Sequence, residues 1–174
     1  MADHVVLVGL MGSGKTTVGR EVARRSGRRF VDSDQQIEAD TGRSVREIWS
    51  SDGEPAYRRL EAAALAAAVA EPRHAVIAAA GGVVLDPANR RLLRTSGTVV
   101  WLDGDPEVLA ERASTGDHRP LLDVDPVAAM RSMAEARRPW YEEVATHRVD
   151  VTQLGPDAVV DRVLSLLADG RSTR

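Results

Sequence analysis

One stretch of eight residues limits the possible folds more than any other: Gly9-Leu10-Met11-Gly12-Ser13-Gly14-Lys15-Thr16. It follows the β-branched apolar run Val5 to Val8, which has the length and composition of a buried strand, and it precedes a helical pattern over 15–25. Strand, glycine loop and helix in that order converge backbone N–H groups on one point and add the helix dipole, an arrangement suited to phosphate. Lys15 would reach the β- and γ-phosphates of a nucleoside triphosphate and Thr16 would hold Mg²⁺ through its hydroxyl. Gly12, Ser13, Gly14 and Thr17 complete the expected nucleotide contacts. The chain has 23 basic residues, yet Lys15 is its only lysine. Against that arginine bias, a lone lysine marks a position where a compact ammonium is required and a planar guanidinium will not fit.

The rest of the chain alternates strands and helices. Phe30-Val31-Asp32, Ala75 to Ala79, Thr98 to Leu102 and His147 to Val151 read as further strands. A pair of helices is expected from Asp34 to about Ser50, and a long alanine-rich one from Glu54-Pro55. Shorter helices are expected after Pro87, Pro106 and Pro126, and a last one from Pro156 to Ala168. Alternation of this kind implies right-handed crossovers and a parallel sheet covered on both faces. The expected fold is α/β, a three-layer α/β/α sandwich of the P-loop NTPase type with a five-stranded parallel sheet. At 174 residues the chain fits one domain, which would bury about 70% of its unfolded surface. The segment 114–125, rich in glycine, proline and charge between two helices, reads as a mobile flap.

Composition removes several function classes. A net charge of −3 gives no general attraction to nucleic acid or to an anionic membrane, so any anion must be captured locally. The absence of cysteine excludes disulfides and thiolate metal sites and agrees with a reducing cytoplasm. No secretory segment is expected before the glycine loop, and the apolar stretch Ala62 to Ala70 is far short of the roughly 20 residues of a bilayer crossing. The four histidines, at 4, 74, 118 and 147, have no metal-ligand spacing and read as structural or surface groups. Trp49 matches no ligand motif and reads as largely buried, with a place in the pocket wall as the alternative.

Ligands of such sheets collect beyond the strand ends, where the glycine loop, Asp32-Ser33-Asp34 and Gly81-Gly82 all fall. If the chain stays extended after its strand, Asp32 and Asp34 point the same way. One carboxylate could then steady Mg²⁺ through water and the other accept the proton of an attacking hydroxyl. The bland reading is that Asp34 merely caps the helix that follows.

In order and spacing, the loop 9–16, Asp32-Ser33-Asp34, Tyr57-Arg58-Arg59-Leu60-Glu61, Gly81-Gly82, Arg119-Pro120-Leu121-Leu122 and Arg137-Arg138-Pro139-Trp140-Tyr141 resemble the shikimate kinases. The resemblance covers nearly the whole chain. It implies a nucleoside monophosphate kinase-like fold with a substrate-binding region at about 33–61 and a lid at about 112–125. It also implies ATP as co-substrate, Mg²⁺ held by Thr16 and Asp32, and transfer to the 3-hydroxyl of shikimate. Lys15, Asp34 and Arg119 are then the catalytic set, with Arg119 approaching the transferring phosphoryl group. Arg58 and Arg137 would clamp the substrate carboxylate, and Asp34, Gly81 and Gly82 would contact the ring. On residue type alone both arginines read as solvated helix positions, as their neighbours Arg59 and Arg138 still do. Arg112 matches an arginine that packs on the adenine.

Two positions depart from the family pattern. Ala80-Gly81-Gly82 stands where three glycines are usual, and Gln153-Leu154 where a second basic residue often covers the adenine. The nearest alternative is therefore a kinase of the same fold for another polyol or cyclitol acid such as gluconate. An alternative of another class is a catalytically silent nucleotide-binding regulator, against which the intact Lys15, Thr16, Asp34 and Arg119 weigh. The expected protein is a cytoplasmic monomer with small-molecule substrates and no nucleic acid or membrane partner.

Overall fold

The computed structural model describes residues 3–114 and 125–169. In chain order its elements are β1 (His4–Val8), α1 (Lys15–Ser26), β2 (Arg29–Asp32), α2 (Ser33–Thr41), α3 (Val45–Asp52), α4 (Glu54–Ala70), β3 (Ala75–Ala78), α5 (Pro87–Thr95), β4 (Gly97–Asp103), α6 (Pro106–Ser114), α7 (Pro126–Val144), β5 (His147–Asp150) and α8 (Pro156–Asp169). A single 3₁₀ turn, Val83–Leu85, follows β3. The strands form one five-stranded sheet in the order β2-β3-β1-β4-β5, and every neighbouring pair is parallel.

The sequence pattern explains that order. Val5, Val6, Leu7 and Val8 are fully buried, as a central strand covered on both faces requires. The two outermost strands, β2 and β5, carry Arg29, Asp32, Arg148 and Asp150, charges that an edge tolerates and a centre does not. From β1 the chain crosses to one side of the sheet and from β3 to the other. Right-handed crossovers therefore put α1 and α5 on opposite faces. His4 is buried in the sheet, where its ring nitrogens meet the Val69 carbonyl and the Ala75 N–H, a structural role as expected.

A satellite core of Ile37, Ile48 and Tyr57, flanked by Val45, Trp49, Leu60 and Ala64, ties α2, α3 and the start of α4 together. Ile48 has no exposed surface and contributes about 2–3 kcal/mol of apolar burial. The expected substrate-binding region thus has its own apolar anchor, separate from the main core.

Two expectations change. The helix after Pro126 is not short: α7 runs for 19 residues and passes through Pro139. Both Pro139 and Glu135, whose carbonyl loses its helical donor, are on the exposed face, where solvent can reach the freed carbonyl. Nor does the chain stay extended from Asp32 to Asp34. Helix α2 begins at Ser33, and the cap is Asp32, whose carboxylate accepts from the N–H groups of Asp34 and Gln35. Of the expected flap, Ser114 closes α6 and Asp125 caps α7, with Arg112 also within α6. The remainder, 115–124, with Arg119, His118 and Arg119-Pro120-Leu121-Leu122, lies outside the described residues.

Candidate active site

Loop 9–14 leaves β1 and closes on the first turn of α1. Gly12 has φ +78°, and a Cβ there would fall 2.3 Å from the Leu109 carbonyl oxygen, so both the backbone conformation and the space demand glycine. Lys15 folds over the loop, its Nζ donating to the Gly9 carbonyl at 2.9 Å and the Leu10 carbonyl at 3.0 Å. The Ser13 hydroxyl is buried with no hydrogen-bond partner among the described residues, a donor that a phosphate oxygen in the loop would satisfy. Thr16 Oγ1 donates to Asp32 Oδ2 at 2.6 Å, so the hydroxyl and carboxylate meet at the mouth of the loop. Such an oxygen pair suits Mg²⁺, which commonly takes one or two protein oxygens and completes its shell with phosphates and water. Among the described residues no group of three or more His, Cys, Asp or Glu forms a self-sufficient metal cage.

A cavity of about 450 Å³ opens from this loop and joins most of the residues singled out above. Gly12, Ser13, Gly14, Lys15, Thr16 and Thr17 line its glycine-loop end, and Asp32 and Asp34 also line it. Arg58, Gly81, Gly82 and Arg137 close the far end, and Arg112 borders the loop side. Trp49 also lines the wall, which settles between the two expectations for it.

Asp34 reaches the cavity from the first turn of α2, and Tyr57 Oη donates to its Oδ1 at 2.6 Å. Arg58, one residue further along α4, is held on two sides. Its Nη2 meets Glu54 at 2.9 Å and its Nη1 meets the buried Glu61 at 3.0 Å. Glu61 also accepts from the Gly82 N–H at 3.2 Å, so one carboxylate fixes both the guanidinium and the glycine backbone. Burial pushes the Glu61 carboxyl above the usual range, against the opposing pull of Arg58.

The contact between Arg58 and Gly82 is tight. A Cβ on Gly82 would fall 1.9 Å from Arg58 Nη1 and 2.5 Å from Cζ. Gly82→Ala must therefore displace the guanidinium. If Arg58 grips a substrate carboxylate, steady-state kinetics of this variant should show the acid's KM rising about tenfold or more, near 1.4 kcal/mol. An unchanged KM would detach Arg58 from substrate binding.

Arg137 enters from α7 and differs from Arg58. It is 7% exposed, and among the described residues its guanidinium donates to the Gly81 carbonyl at 3.1 Å and hydrogen-bonds the Tyr141 hydroxyl, while no carboxylate pairs with it. A buried guanidinium with donors to spare at a cavity wall is suited to an anionic ligand. Tyr141 Oη also donates to the Gly81 carbonyl, at 2.7 Å, a second hold on that backbone. Burial raises the Tyr141 phenol to about 12. Ala80 is buried beside this segment, with its methyl at the cavity wall.

At the opposite end Arg112 Nη1 donates to the Val151 carbonyl at 3.0 Å and Nη2 to the Thr152 carbonyl at 3.3 Å. Leu154, Gly155, Pro156 and Val159 complete an apolar slot there. Arg138 and Arg59 are exposed. Arg138 lies over the Trp101 ring and near Asp103, away from the residues lining the cavity.

Residue type alone gives no role to Tyr57, Glu61 or Tyr141, although all three fall within the quoted motifs. The signal for two of them is spacing: Glu61 is one helical turn beyond Arg58, and Tyr141 one turn beyond Arg137.

The parallel sheet, its order and the glycine loop opening onto α1 place this chain among the P-loop kinases of the nucleoside monophosphate kinase-like fold. The shikimate kinase family model matches residues 11–168. A shikimate kinase of Symbiobacterium thermophilum is 47% identical over 95% of this chain and 97% of its own, and one of Chromobacterium violaceum is 42% identical over 97% and 92%. Among solved structures, a shikimate kinase from Acinetobacter baumannii in complex with shikimate superposes with a TM-score of 0.92 at 34% identity, over 98% of this chain and 95% of its own. A gluconokinase from Sinorhizobium meliloti superposes with a TM-score of 0.62 at 24% identity, over 96% and 92%, a likeness of fold alone. The chain belongs to the shikimate kinase family.

Proposed function

We propose that this protein transfers the γ-phosphoryl group of ATP, with Mg²⁺, to the 3-hydroxyl of shikimate. The products are ADP and shikimate 3-phosphate, in the pathway to chorismate and the aromatic amino acids. The observation that carries this reading is Arg137: a buried cation without a carboxylate partner among the described residues, on the cavity that also holds Asp34 and the phosphate loop. A substrate with one carboxylate and a reactive hydroxyl fits that separation of charges. Membership of the family and the shikimate-bound relative support the same substrate.

Each side chain then has a task. Backbone N–H groups of 12–16 and the Ser13 hydroxyl hold the β- and γ-phosphates, and Lys15 leaves its loop carbonyls to neutralise the charge that grows on them during transfer. Thr16 and Asp32 would hold Mg²⁺, which would supply positive charge to the phosphates. Arg137 holds the substrate carboxylate, with Arg58 beside it, and the Gly81-Gly82 backbone faces the ring. Asp34 accepts the proton of the attacking hydroxyl as its oxygen bonds to the γ-phosphorus and the bond to the bridging oxygen of ADP breaks. Arg119 is assigned to the transferring phosphoryl group from the motif it shares with the family. Arg112 and the slot beside Leu154 take the adenine.

The protein is proposed to act as a cytoplasmic monomer with small-molecule partners. No helix among the described residues is long and apolar enough to cross a membrane. Coupled ADP release tests the substrate. With Mg²⁺ present, shikimate should stimulate release while gluconate and a cyclitol leave it at the acceptor-free rate. Equal or greater stimulation by gluconate would overturn the substrate assignment, and no stimulation by any acceptor would favour a silent regulator.

A further inference from the structure

The contact between Tyr57 and Asp34 joins a rigid donor to a carboxylate on the cavity. Tyr57 is 5% exposed and belongs to the apolar cluster with Ile37 and Ile48. Its ring lies 5.4 Å from that of Trp49, centroid to centroid, and the Arg58 guanidinium sits 5.4 Å above it. Glu54 and Glu61 hold that guanidinium in turn, so the phenol is fixed from both sides. Burial, and then the charge of Asp34, push the Tyr57 phenol far above its ordinary value. Tyr57 therefore keeps its proton at any working pH, and its O–H is a donor to Asp34 Oδ1 at 2.6 Å.

Asp34 sits in the first turn of α2, on a side chain with only two rotatable bonds. Rotation about the second exchanges its two oxygens and swings the carboxylate plane, a broad and soft motion. A general base must present one lone pair within hydrogen-bond reach of the attacking hydroxyl, and small errors in that placement are costly. We propose that Tyr57 is a positioning residue for phosphoryl transfer: its hydroxyl holds Oδ1 of Asp34 and contributes to fixing the carboxylate plane, so that Oδ2 takes the acceptor's proton. The inference rests on the reading of Asp34 as the proton acceptor given above. Its physical content is that the aromatic wall formed by Trp49 and Tyr57 acts on the rate of transfer, beyond shaping the pocket.

The competing explanation is structural: Asp34 merely satisfies a buried phenol. A double-mutant cycle separates the two, read by single-turnover transfer from radiolabelled ATP to shikimate, which follows slow variants as well as fast ones. Tyr57→Phe removes one oxygen and keeps the ring. It should lower the transfer rate about tenfold while changing the KM for shikimate less than about twofold, the signature of an interaction felt in the transition state. In an Asp34→Asn background the same substitution should change the rate by less than about twofold, because no carboxylate remains to be positioned. An undiminished rate in Tyr57→Phe, or an equal loss in both backgrounds, would overturn the proposal. So would a rise in KM with the rate unchanged. The wild-type arm keeps the two readings apart, since wild-type protein that does not phosphorylate shikimate refutes the function, whereas active wild type with an indifferent Tyr57→Phe refutes only the role of Tyr57.

Discussion

Lys15→Ala is expected to lower kcat for shikimate phosphorylation by about three orders of magnitude, near 4 kcal/mol of transition-state stabilisation. The ammonium is the only lysine charge in the chain and lies against the carbonyls of Gly9 and Leu10, inside the loop that would hold the phosphates. Phosphoryl transfer leaves little covalent chemistry to the protein, so a charge placed on the β- and γ-oxygens accounts for much of the rate. Lys15→Arg makes the argument sharper. It keeps the charge but replaces a point ammonium with a planar fork that cannot fold over the same two carbonyls, and it should be nearly as damaged as the alanine variant. Initial rates of ADP release at saturating ATP and shikimate, with melting curves to verify folding, provide the check. Retention of more than about a tenth of wild-type kcat in Lys15→Ala would leave only a modest barrier term, under 1.4 kcal/mol, to this residue.

Arg137→Ala should behave differently. A rise of about a hundredfold or more in the KM for shikimate is expected, with kcat at saturation and the KM for ATP changed little. The physical reason is that Arg137 is buried and lacks a carboxylate partner among the described residues, so a ligand carboxylate would gain a strong charge-assisted contact there. Such a contact exists equally in ground and transition states and therefore acts on binding. The Gly81 carbonyl would not be orphaned by the substitution, because Tyr141 also donates to it at 2.7 Å. Shikimate methyl ester isolates the charge. Wild-type protein should favour the acid over the ester strongly, and Arg137→Ala should lose most of that preference. A variant that still discriminates acid from ester would assign the carboxylate to Arg58 instead.

What the sequence reveals follows from how local each signal is. The phosphate loop is legible because its glycines, Lys15 and Thr16 are contiguous and act through backbone geometry that those residue types impose. The five strands and their parallel pairing are legible because β1 and its neighbours are unbroken apolar runs joined by helical stretches. Asp34, Arg58 and Arg137 are not legible one by one. An arginine on a helix is ordinarily solvated, and only the joint arrangement of motifs raises them above that background. Glu61 and Tyr57 are beyond reach for a different reason. Their importance comes from Gly82, 21 positions from Glu61, and from Asp34, 23 positions from Tyr57, contacts that only the packed structure creates. The extended geometry expected at Asp32 and Asp34 fails because Asp32 caps α2 and starts the helix one residue earlier. The carboxylates reach the same cavity even so, one from the end of β2 and the other from the first turn of α2. The length of α7 is hidden by Pro139, which marks a break in most helices and is tolerated here because its turn faces water.

The central claim concerns where the phosphoryl group goes. Proton–phosphorus correlation NMR of the product formed from ATP, Mg²⁺ and shikimate reads that directly. Coupling between the new phosphorus and the ring proton at carbon 3, with one ADP formed per phosphate ester, is the expected spectrum. A signal from free inorganic phosphate alone, or coupling to the proton at carbon 4 or 5, would contradict the placement of the acceptor hydroxyl between Asp34 and the phosphate loop.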